Sequence, residues 1–128
     1  MNRYMTVGLS MLAGAALAGA VIETIHAQAK PHAYVIAEVT TKDQDAFLKE
    51  FAPAIAKAVE ASGGKFLARG GTTQPQLGSP PAPRVVVVEY DSLDKAQAWW
   101  NSQAAKDAFV IGKKYADIRQ FAVEGVAP

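Results

Sequence analysis

Arg84-Val85-Val86-Val87-Val88-Glu89-Tyr90 is the stretch that most restricts what this chain can fold into. Its valines are β-branched and stiff at χ1, so the segment favours extended backbone. In a strand, successive side chains leave on opposite faces. Both faces here are apolar, the pattern of a strand buried on two sides. A proline-rich stretch leads into it, and Asp91-Ser92, residues that cap helices, follows it. The segment is predicted to be a central strand whose two faces both need cover.

The chain has 128 residues, 50% hydrophobic and 20% charged, which suits one globular domain. Its net charge is +1, and the 13 basic residues scatter from Arg3 to Arg119 without forming a stripe. Nucleic acid is therefore not an expected partner. The absence of cysteine removes disulfides, thiolate nucleophiles and Cys-based metal sites together. Residues 1–29 carry the parts of a secretory signal peptide. Arg3 supplies the positive start, Tyr4 to Ile22 run without a charge, and Ala27-Gln28-Ala29 is a small-x-small exit. The expectation is cleavage before Lys30, leaving residues 30–128 as a periplasmic or secreted domain with no membrane segment; an uncleaved anchor is the alternative.

Ala33 to Val39 reads as the first strand, with Ala33, Val35, Ala37 and Val39 on one apolar face and Tyr34, Ile36 and Glu38 on the other. Thr41 with Gln44 fits a capping box, and Asp43 competes as the N-cap. Phe47, Phe51, Ile55 and Val59 then recur at helical spacing, interrupted by Pro53, which is expected to kink or restart the helix. Gly63-Gly64 ends it, Lys65 to Arg69 is a short strand, and Thr72 to Pro83 is a loop. After the valine strand, a helix from Asp91-Ser92 breaks near Asn101-Ser102, and a second segment follows. Ile118 to Glu124 is the last strand.

The order β-α-β-β-α-β is that of a ferredoxin-like α+β sandwich: a four-stranded antiparallel sheet with the helices on one face. Strands one and three are expected side by side and parallel, with two and four at the edges. Helices on one face leave the second face of the valine strand bare. A partner subunit packed face to face would cover it.

In these residues the chain resembles the domain of unknown function 1330 family, within the dimeric α+β barrel superfamily. The resemblance rests on Ala33 to Val39, the block from Gly63 to Gly71, Arg84 to Tyr90, and Ala98-Trp99-Trp100-Asn101-Ser102. It spans about Ala33 to Gly125 and implies a ferredoxin-like homodimer without supplying catalytic residues. The superfamily includes cofactor-free oxygenases, haem-degrading enzymes and small-ligand binders, among which fold does not choose.

Charged residues inside strand patterns are the first candidates for chemistry. Strand alternation lets Glu38, Glu89 and Arg69 gather around a cleft between subunits, with Tyr34 and Trp99 lining it. Such a cleft would bind a small, acidic molecule, or use Glu38 or Glu89 as a general base of the oxygenase or isomerase kind. The plainer alternative is that these charges form ion pairs within a purely structural dimer. Gly70 and Gly71 are candidates for a backbone anion nest. Trp99 and Trp100 are adjacent on a helix and point about 100° apart, so one is core and the other is not. His32 has no second histidine in residues 30–128, so no metal site is expected, and no cofactor motif occurs.

Overall fold

The structure, a computed structural model, describes residues 30–128; the signal-peptide expectation lies outside them. Pro31–Ala127 forms a compact unit. Strand β1 (Ala33–Thr41) is followed by α1 (Gln44–Ala46), a π-helical turn (Phe47–Phe51) and α2 (Ala52–Ala61). Then come β2 (Lys65–Arg69), β3 (Arg84–Tyr90), α3 (Leu93–Trp100), α4 (Gln103–Tyr115) and β4 (Ala116–Glu124).

The sheet order is β2-β3-β1-β4. The valine strand β3 is central, as expected, but it pairs antiparallel with β1, in the register Glu38 to Val85 and Tyr34 to Glu89. This corrects the parallel expectation. A crossover makes β1 and β2 run the same way, and the reversal into β3 then inserts an opposed strand between them. β4 pairs antiparallel with the other side of β1.

Local chemistry explains the helix ends. Asp43, not Thr41, caps α1, its carboxylate accepting from the Ala46 N–H at 3.1 Å. Pro53 stands in the first turn of α2, where the helix restarts, one of the two outcomes expected of it. The turn before it widens so that the Ala52 N–H reaches back to the Phe47 carbonyl, five residues away, which relieves the crowding a proline imposes on the preceding turn. Gly63, at φ +84°, closes α2 with paired bonds: its N–H to Glu60 and the Gly64 N–H to Val59. Ser92 and Ser102 cap α3 and α4.

The core fills the space between helices and sheet. Ala33, Val35, Ala37 and Val39 supply the β1 face of it, and Phe47, Phe51, Val59, Trp99 and Phe109 the helical side. Trp99 is the core tryptophan, 3% exposed, while Trp100 is 46% exposed. On the sheet's other face, Tyr34, Ile36, Val85 and Val87 are only half-buried, and Phe121 and Val123 on β4 are exposed.

Candidate functional site

The two faces of the sheet carry different chemistry. On the open face, Glu38 is held twice: Arg119 Nη1 donates to it at 2.8 Å, and the Ala82 N–H of the loop before β3 donates at 3.1 Å. Glu89 lies 3.4 Å from His32 Nδ1. Tyr34 shares this face, directly across from Glu89. The structure thus brings Tyr34, Glu38 and Glu89 to one surface, as expected, but gives Glu38 a cationic partner and a backbone donor.

Arg69 is not with them. β2 and β3 pair Lys65 with Glu89 and Phe66 with Val88, but then Ala68 with Val87 and Arg69 with Val86. The extra residue, Leu67, is a β-bulge, and it reverses the alternation beyond it. Arg69 therefore joins Val86 and Val88 on the helix face. There its guanidinium stacks 4.5 Å from the Phe66 ring centre, and Nη2 donates to the Ala52 carbonyl at 3.4 Å. Trp99 also belongs to the helix face, so neither lines a cleft with Glu38.

Arg69 meets Arg84, a residue sequence reasoning passed over although period two places it on one face with Val86, Val88 and Tyr90. Arg84 lies 5.6 Å from the Phe47 ring centre and has no carboxylate partner among the described residues. Burial, and secondarily the like charge of Arg69, hold its pKa below the ordinary arginine value. Gly70 makes the arrangement possible. It adopts φ +69°, and a Cβ there would run into the Arg84 guanidinium. The Gly70 N–H is committed to the Val85 carbonyl at 2.9 Å. This corrects the anion-nest expectation at Gly70. Gly71 borders open space.

Behind the two arginines lies a cavity of about 50 Å³ between sheet and helices. Its walls are apolar, from Phe47, Phe51, Ile55, Phe66, Val86 and Phe109, apart from the arginines and Gln120. Trp99 forms part of the wall, and its indole N–H is buried without a protein acceptor. An apolar-walled cavity with two cationic groups at its edge suits an anion with a small apolar body.

The model of the family described as Domain of unknown function (DUF1330) matches residues 32–126, and the chain belongs to that family. Among solved structures it is similar to methylated RPA0582, a Rhodopseudomonas palustris protein of unknown function. That match has 14% identity and a TM-score of 0.61, covering 84% of this chain and 91% of that one. It is also similar to a Bacteroides fragilis protein described as dimeric, of unknown function and ferredoxin-like fold (13% identity, TM-score 0.50, covering 73% and 96%). SnoaB, a cofactor-independent oxygenase from Streptomyces nogalater, matches at 8% identity and TM-score 0.50, covering 75% and 94%. No curated protein matches the chain. At these identities the likeness carries the ferredoxin-like fold.

Proposed function

We propose that this protein is an exported homodimer that binds a small organic acid in the cavity between sheet and helices, with the carboxylate against Arg69 and Arg84. One observation carries the reading: two guanidiniums meet at the edge of an apolar cavity, and Arg84 has no acidic partner among the described residues. Arg84 is half-buried, and such a cation is normally neutralised inside the protein; Arg69 beside it is exposed and adds a second positive charge. Keeping two like charges together without a carboxylate lowers stability, and an arriving anion would recover what is lost. The site differs from the intersubunit cleft expected from strand alternation because the Leu67 bulge moves Arg69 to the helix face.

The enzyme alternative, in which Glu38 or Glu89 is a base, finds less support. Arg119 Nη1 and the Ala82 N–H each occupy one oxygen of the Glu38 carboxylate, so neither oxygen is left free to approach a substrate. The kinship in fold with an oxygenase leaves the chemistry of this chain open.

Calorimetric titration with pentanoate and hexanoate tests the reading, alongside native mass spectrometry for an acid retained on purification. Saturable binding is expected, weakened at least about ten-fold by Arg84→Met. The same substitution is expected to leave the urea midpoint unchanged or raise it, because it removes an uncompensated charge. Absent binding, or unimpaired binding in a destabilised variant, would overturn the proposal.

A further inference from the structure

Trp99 is 3% exposed, yet its Nε1–H has no acceptor in the protein. A buried donor left without a partner is unfavourable by about 1–3 kcal/mol, and such groups are uncommon in folded proteins. The indole is otherwise well packed. It stacks on Tyr90 at 6.0 Å between ring centres and meets Phe109 edge-on at 6.0 Å. Tyr90, its nearest ring, spends its hydroxyl on Ser62 at 2.8 Å, so it offers the indole little.

A second polar group lies in the same wall. Gln120, on the helix face of β4 opposite Ala37, lines the cavity with Trp99, is half-buried, and has no side-chain hydrogen bond among the described residues. Both residues also line a neighbouring cleft with Ala96, Gln97 and Trp100, so they stand where the two spaces meet. The arginines lie away from this point. From Arg84 a row of rings runs through Phe47, Phe51 and Phe109 before reaching Trp99, each step between 5.0 and 6.0 Å. The cavity thus has a cationic end, an apolar middle, and an uncharged polar end with one obligate donor.

Resting on the binding function proposed above, we infer that the ligand is a short-chain keto acid. Its carboxylate lies at Arg69 and Arg84, and its ketone oxygen accepts from Trp99 Nε1–H, with Gln120 beside it. A ketone is an acceptor without a proton, which suits a site whose fixed group can only donate. A second carboxylate at that end would be buried with no cation to meet it. Trp99 is then the residue that separates keto acids from plain fatty acids, since a donor left unpaired penalises a ligand lacking the oxygen.

The test compares pentanoate, hexanoate and heptanoate with the keto acids of equal length whose ketone adjoins the terminal methyl. At the length that spans the site, the keto acid is expected to bind about ten-fold more tightly than its parent. It should also shift the Trp99 indole N–H resonance downfield, which the parent acid should not. The protein has two tryptophans, so Trp100→Phe, at the more exposed of the two, assigns the signals. Trp99→Phe should abolish the preference for the keto acid over its parent. If that variant fails to fold, the indole resonance of the wild type still decides. Equal binding of keto and parent acids throughout, with the resonance unmoved, overturns this inference and leaves acid binding intact. If no acid of either kind binds, both proposals fall together.

Discussion

Tyr90 shows how one residue links core, helix end and titration. It is 2% exposed, stacked on Trp99, and bonded to Ser62 at the end of α2. Burial raises its pKa above the ordinary value near 10, against a smaller opposing effect from Ser62. The folded state therefore holds the phenol proton more tightly than the unfolded chain. Its contribution is whole below about pH 10, and is lost as pH rises from there through the folded-state pKa. Urea midpoints at pH 9 and pH 11 should reveal this as a steeper alkaline loss in the wild type than in Tyr90→Phe. Parallel losses in the two proteins would show that lysines alone account for the fall. At this scale the sequence was a good guide: the apolar face read for β1, Ala33, Val35, Ala37 and Val39, is the buried one.

At the scale of elements, the π-helical turn and α4 fit by way of a glycine. Gly112 lies in the last part of α4, and a Cβ there would come within 2.7 Å of the Phe51 ring. Alanine at an exposed helix interior would be worth about 0.8–1.0 kcal/mol over glycine. Forcing a methyl against a packed ring is unfavourable by about 1–3 kcal/mol. Overpacking should win, because Phe51 is itself 5% exposed and pressed by Phe47 and Phe109. Gly112→Ala is expected to lower stability by about 1 kcal/mol, read from the shift in urea midpoint at constant slope. A stabilised variant would mean that Phe51 moves freely, and that the wall it gives the cavity is soft. Pro53 marked the restart of the helix here, but not the wider turn that precedes it.

For the whole molecule, the question is what covers the open sheet face. Ile36, Val85, Val87, Phe121 and Val123 put a large apolar area beside the Glu38–Arg119 pair, and the helices cannot reach it. Exposed patches of this kind mark association surfaces. Light scattering on protein recovered from the periplasm should give twice the chain mass, and N-terminal sequencing should begin at Lys30. Val87→Asp should halve the mass while keeping the circular dichroism of the fold. A wild-type monomer at micromolar concentration would remove the basis for the dimer. A native terminus upstream of Lys30 would remove that for cleavage.

The sequence by itself determined the element order, the sheet edges, the central place of the valine strand and the apolar face of β1. These follow from short-range rules of periodicity, capping and β-branching that hold wherever a segment lies. What only the tertiary structure decided is which charged residues meet. Strict alternation puts Arg69 beside Glu38; a single bulge at Leu67 puts it beside Arg84. A bulge is set by how two strands fit against each other and against the helices, so residue 69 changes face with no mark in its own neighbourhood. The orphaned indole of Trp99 belongs to the same category, because a hydrogen bond is missing only once every neighbour has taken its place.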